Sequence, residues 1–88
     1  MSVVDNCLEA LKNLALKKTG ISLMKAHYAQ HISYAVFKET NYEISEIAIL
    51  RTFNFLPAKF PPSYYTKDVL ALYCGYENHL EFCRNSKM

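Results

Sequence analysis

The stretch that decides the fold reads PPSYYTKDVLALYCGYENHLEFC and covers residues 61–83. Thr66 follows the prolines and can cap a fourth helix, with the carboxylate of Asp68 in the first turn. The apolar residues of this helix are Val69, Leu70, Leu72 and Tyr73. Gly75 is expected to end it, because glycine readily takes the left-handed conformation that closes helices. A short fifth helix over about 77–85 follows, with the apolar side chains Leu80, Phe82 and Cys83.

A loop and a third helix precede this stretch. Residues 56–65 (LPAKFPPSYY) contain three prolines in ten positions. Each proline removes a backbone donor and restricts the residue before it, so we predict a loop. Ser45 can cap the third helix, and Ile47, Leu50 and Phe53 are predicted to face inward, with Ile49 as a further candidate. The run 47–50 could also form a strand, but the serine cap and the absence of strand partners favour a helix.

Two helices are predicted at the start of the chain. Apolar residues at spacings of three and four indicate a first helix over about 3–18, ended by Gly20: Val4, Cys7, Leu8, Leu11, Leu14 and Ala15. Ser22 can cap a second helix that runs to about Glu39, with Asn41 as its left-handed cap. A break near 31–33 would divide it in two. Its apolar stripe comprises Leu23, Ala26, Ala29, Ile32, Ala35 and Val36, widened by Tyr28, Tyr34 and Phe37.

The fold class that follows is all-α. We predict a compact bundle of five short helices, or six with the break, with one proline-rich loop and a helix-turn-helix-like centre. The 88 residues suffice for one core, so we expect a single helical domain over 1–88, which could be a module of a larger protein. Hydrophobic residues make up 51% and charged residues 20%, which is typical of a globular chain.

The net charge, the apolar runs and the cysteines narrow the range of partners and cellular locations. The net charge of +2 is too weak to imply a nucleic-acid footprint by itself. No apolar run approaches 18 residues and the N-terminus does not read as a secretory signal, so we expect no membrane partner. The three cysteines lack the spacing of a disulfide framework, and we therefore predict a cytoplasmic location.

One set of residues could bind a metal ion. His27 and His31 stand four apart, as do His79 and Cys83, and two such pairs could form a four-ligand zinc site. The signal is weak, because no CxxC motif anchors it and such pairs arise often by chance. The alternative is exposed or half-buried histidines and a core cysteine. We predict no cofactor and no metal.

Residues for catalysis are also lacking in the sequence. Cys74 and Cys83 are expected on apolar helix faces, where burial raises a thiol's pKa and makes it inert. Glu43 and Glu46 lie at the start of the third helix, where negative charge is favourable without any acid–base role. No Ser-His-Asp grouping or glycine-rich phosphate loop is present. We therefore predict that the chain is not an enzyme and has no small-molecule substrate.

A longer pattern resembles a known class of domain. It comprises Ile44-Ser45, Arg51, Phe53, Phe55, Pro62-Ser63, Tyr65-Thr66, Asp68, Leu70-Ala71, Tyr73, Gly75-Tyr76 and Phe82. Over residues 27–83 the chain resembles a small helical domain at the N-terminus of many otherwise unrelated multidomain proteins of Bacteroidetes bacteria. It is more loosely similar to the helix-turn-helix of phage-repressor-like regulators. That similarity implies a third helix, from Ser45 to Phe53, that would enter the major groove of DNA.

Two functions follow from these observations. The first is a protein-interaction module, an adaptor or homotypic assembly domain of a bacterial signalling or defence protein. Its expected contact residues are Glu43, Glu46, Arg51, Phe60, Tyr64 and Tyr65. The alternative is a DNA-binding domain of a transcriptional regulator that contacts duplex DNA through Lys38, Ser45, Arg51, Lys59 and Lys67. Glu43 and Glu46 favour the protein partner, because acidic groups at this helix start would face phosphates.

Overall fold

The structure, a computed structural model, describes the backbone of residues 3–85 and the side chains of residues 7–85. It confirms the all-α prediction, because the described residues form helices and no strand. Residues 3–85 contain the α-helices α1 (Val3–Thr19), α2 (Ala29–Thr40), α3 (Glu46–Thr52), α4 (Tyr64–Tyr73) and α5 (His79–Asn85). They enclose one core with α4 at its centre, in contact with α1, α2 and α5.

The first helix ends as predicted. Cys7, Leu11 and Ala15 of α1 face the core, while the predicted inward position Val4 lies outside the described side chains. Gly20 has a φ of 85°, a left-handed conformation that favours glycine. The backbone N–H of Ile21 then donates to the carbonyl of Leu16 at 2.9 Å, which places the Ile21 side chain in the core.

The second helix begins later than predicted, and Ser22 does not cap it. A single 3-10 turn at Ala26–Tyr28 leads into α2, and no side chain caps its start. The predicted stripe is therefore wrong before Ala29, and Leu23 is exposed. The physical reason is Ile21: once its side chain is fixed in the core, the following residues must cross the surface before the chain re-enters. The break lies at this 3-10 turn and not at 31–33.

The predicted cap at the end of α2 and the predicted cap at the start of α3 are both confirmed. Asn41 has a φ of 65°, and the backbone N–H of Ala48 donates to Oγ of Ser45 at 3.1 Å. The predicted inward face is wrong in one position, because Ile47 is 48% exposed whereas Ile49 is 1% exposed. Two residues correspond to about 200° around a helix, so these two isoleucines lie on nearly opposite faces.

The fourth helix starts earlier than predicted. Oγ of Ser63 accepts the backbone N–H of Thr66 at 3.2 Å, so Ser63 is the cap and Thr66 is not. Thr66 lies in the first turn of α4 with its side chain buried, so it is inside the helix and does not cap its start. The predicted loop is therefore shorter, and Tyr64 and Tyr65 belong to α4. The helix ends as predicted, since Gly75 follows with a φ of 97°.

The fifth helix packs on α4 through His79 and Phe82. The backbone N–H of His79 donates to Oδ1 of Asp68 at 3.0 Å, which ties the start of α5 to α4. The Phe82 ring packs edge-on against Tyr76 with centroids 5.0 Å apart. Leu80, which the sequence placed among the packing residues, is 63% exposed because it lies between His79 and Phe82 on the opposite face.

Candidate interaction surface

A groove lies between α3 and the proline-rich loop. Its volume is about 660 Å³, and it is partly open to solvent. Its apolar wall comprises Ala48, Pro57, Ala58, Phe60, Pro61 and Pro62. Thr52, Ser63 and Thr66 add hydroxyl groups, and Arg51 and Lys59 add positive charge. The prolines limit the backbone freedom of the loop, which therefore presents Phe60 in a restricted set of positions.

All six predicted contact residues are exposed: Glu43, Glu46, Arg51, Phe60, Tyr64 and Tyr65. The most exposed aromatic side chains are Tyr64 at 79% and Phe60 at 76%. Phe60 does not fold back into the core, and it shares the groove with Arg51. The fold therefore brings these two predicted residues together, with Tyr64 next to the groove residue Ser63.

Tyr65 has a structural role in addition to its exposure. Its hydroxyl donates a hydrogen bond to the backbone carbonyl of Glu43 at 2.8 Å. Its ring packs edge-on against Tyr42, with centroids 6.5 Å apart. These contacts join the first turn of α4 to the segment before α3, so they fix the position of the loop ends.

Positive charges are distributed over separate parts of this surface. Arg51 and Lys59 line the groove, whereas Lys38 lies over the Tyr34 ring at 5.9 Å and Lys67 over the Tyr64 ring at 4.8 Å. In the part of the chain that the structure describes, Arg51 and Lys59 have no carboxylate partner. Two of the five predicted DNA-contact residues, Arg51 and Lys59, therefore line the groove.

A second group of aromatic side chains was missed by the sequence reasoning. Tyr34 and Phe37, predicted to widen the buried stripe of α2, are exposed and line a shallow depression of about 310 Å³ with Glu43. The exposure of Tyr34 could have been predicted from its spacing, because it lies two residues from the buried Ile32 and therefore on the opposite face of α2.

The structure does not assemble the candidate zinc ligands. His27 and His31 are exposed, and the His27 ring lies 4.4 Å from that of Tyr28. Nε2 of His79 lies 3.6 Å from Sγ of Cys83, so this pair does meet. Among the described side chains of residues 7–85, no three His, Cys, Asp or Glu residues converge on a common point for a metal ion.

Burial shifts the pKa of two side chains, Cys74 and His79. It raises the pKa of the Cys74 thiol to about 11, and nearby Lys18 opposes this only in part. Cys74 therefore stays protonated and unreactive at neutral pH. Burial lowers the pKa of His79 from its usual value of 6.5, and Lys67 lowers it further, while Asp68 acts in the opposite direction.

The lowered pKa of His79 predicts a loss of stability in acid. The unfolded chain takes up a proton near pH 6.5 and the folded chain only at lower pH, so stability falls as the pH decreases through this range. We expect urea unfolding to show a smaller decrease between pH 7 and about pH 5.5 in His79→Gln than in wild type. His31→Gln, at an exposed position, is the control and should behave as wild type. Equal pH dependence in wild type and His79→Gln would contradict this assignment.

Comparison with known proteins gives no match among protein families, curated proteins or solved structures. In the described region, none of the helices combines the length and apolar character needed to cross a membrane. The three cysteines form no disulfide bond within the described residues.

Proposed function

We propose that this chain is a non-catalytic protein-interaction module that binds its partner at the groove between α3 and the proline-rich loop. The observation that carries the proposal is the exposure of Phe60, which lines that groove, and of Tyr64, which follows the groove residue Ser63 in the chain. Burying a large apolar side chain stabilises a complex by about 1.5–3 kcal/mol. Two such rings next to a concave apolar surface are therefore a strong source of binding free energy.

The chemistry of the surface fits a protein partner. Exposed aromatic rings and arginine are enriched in protein interfaces and provide most of their binding energy. Arg51 has guanidinium donors free for a carboxylate or carbonyl of the partner, because no acidic residue of the described chain pairs with it.

The biological setting of the module is part of the same proposal. The resemblance of residues 27–83 to N-terminal domains of multidomain Bacteroidetes proteins supports an adaptor or homotypic assembly domain in a signalling or defence protein. The lack of disulfides among the described cysteines supports a cytoplasmic location.

The test is quantitative capture of partners from cells that produce the protein. Wild type, a Phe60→Ala/Tyr64→Ala variant and a Leu23→Ala/Leu80→Ala control are compared by mass spectrometry. The control truncates two other exposed apolar side chains, Leu23 at 67% and Leu80 at 63%, neither of which lines the groove. We expect the groove variant to lose bound partner by about tenfold or more, as is typical of interface hot spots. Equal capture by all three proteins would reject the groove as the contact surface.

A DNA-binding domain is the second candidate. The order of α2, the left-handed Asn41 and the Ser45-capped α3 favours it, since this order is similar to a helix-turn-helix. It predicts a gel shift of duplex DNA at low salt, weakened by Arg51→Ala. The exposed carboxylates of Glu43 and Glu46 act against it, and absence of a shift at low salt would remove it.

A further inference from the structure

The outer face of α3 carries four residues in a specific order. Ile47 is 48% exposed, Leu50 is half-buried, and Glu46 and Arg51 are exposed. Among the described side chains of residues 7–85, neither Glu46 nor Arg51 has an ion-pair partner. This face of α3 thus has an apolar centre, with the carboxylate of Glu46 and the guanidinium of Arg51 beside it.

The helical period sets how these residues are arranged. At about 100° per residue, Ile47 and Leu50 share one face of α3, while Glu46 and Arg51 lie on its two opposite flanks. In a parallel pair of helices, the apolar residues form the seam and the flanking charged residues pair across it. A residue on one flank then meets the residue five positions later on the other helix. Glu46 and Arg51 are five residues apart.

We propose that α3 pairs with α3 of a second copy of this chain, in parallel and around a two-fold axis. Ile47 and Leu50 form the seam, and each Glu46 faces Arg51 of the other copy. This inference goes beyond the proposed function, because Ile47 and Leu50 lie outside the groove that the proposed function assigns to a partner. The charges favour this orientation, because an antiparallel pair would place both glutamates on one flank and both arginines on the other. A symmetric dimer needs such a self-complementary face.

The size of the contact sets the expected affinity. α3 has seven residues and is therefore about 10 Å long, which is less than a standard interface requires. We expect a transient dimer with a dissociation constant on the order of 10⁻⁴ to 10⁻³ M. Fusion to an oligomeric protein would raise the effective concentration of the domain and strengthen the contact.

The test uses charge exchange between two variants. In Glu46→Arg and Arg51→Glu, like charges face each other in the homodimer, so we expect each to weaken self-association about tenfold. An equimolar mixture of the two should restore wild-type affinity as a heterodimer, and so should the double variant. Glu77→Arg changes the net charge equally at an exposed site outside α3 and is the control. Sedimentation and light scattering up to millimolar concentration give the association constants, and circular dichroism checks folding.

The possible outcomes separate this inference from the proposed function. A wild-type monomer at millimolar concentration, or a mixture that does not associate, would overturn the α3 pairing. If either charge variant failed to fold, Ile47→Ser would provide the same test, since it removes the seam without changing charge. Capture of a partner that depends on Phe60 and Tyr64 would still support the proposed function in that case.

Discussion

Ile49→Ala is expected to lower the free energy of unfolding by about 2–5 kcal/mol. Ile49 is 1% exposed and packs α3 into the core, so the change removes buried methyl groups and leaves a cavity. A domain of this size has a total stability of roughly 5–10 kcal/mol, and the variant would lose a large part of it. Urea unfolding followed by circular dichroism measures the change.

Ile47→Ala is the matched control for this prediction. It makes the same chemical change on the same helix at an exposed position, so stability should change by no more than about 0.5 kcal/mol. Self-association should decrease in Ile47→Ala, because this residue lies in the proposed seam. An equal loss of stability in the two variants would contradict the assigned faces of α3.

Phe82→Ala is expected to destabilise the fold by about 3–5 kcal/mol. The Phe82 ring is 4% exposed, and its edge contact with Tyr76 contributes about 0.5–1.5 kcal/mol of this effect. The packing of α5 on α4 depends mainly on this ring, so the amides of α5 should lose hydrogen-exchange protection first.

Leu80→Ala provides the comparison on the same helix. Leu80 is 63% exposed, and its truncation should leave the free energy of unfolding within about 0.5 kcal/mol of wild type. A midpoint in Phe82→Ala as high as in Leu80→Ala would show that α5 does not contribute to the core as described.

The helices and their ends were predictable where local chemistry decides them. Ser45, Asn41 and Gly75 all act as expected, since each needs only a short segment of backbone to do so. The predicted caps at Ser22 and Thr66 were wrong, because tertiary packing decides whether a hydroxyl lies at a helix end. Ile21 and Thr66 are both buried, and their burial moves the helix starts.

Packing between distant segments was beyond the sequence reasoning. Lys12 is buried on α1, where its ammonium group pairs with Glu9 at 3.1 Å and lies 5.3 Å from the centre of the Phe53 ring. The burial of Lys12 could not be predicted from the local sequence, because its aromatic partner Phe53 is far away in the chain. The groove also depends on tertiary structure. Arg51 on α3 and Lys59 in the loop line it together only in the folded chain.

The contact between the end of α1 and the end of α4 bears on how this chain is synthesised. The hydroxyls of Thr19 and Tyr73 lie 2.8 Å apart although 54 residues separate them in sequence. During translation α1 leaves the ribosome first, and its apolar face stays uncovered until α4 has emerged. For that interval the nascent chain is open to chaperones, and this part of the core closes only after α4 has left the ribosome.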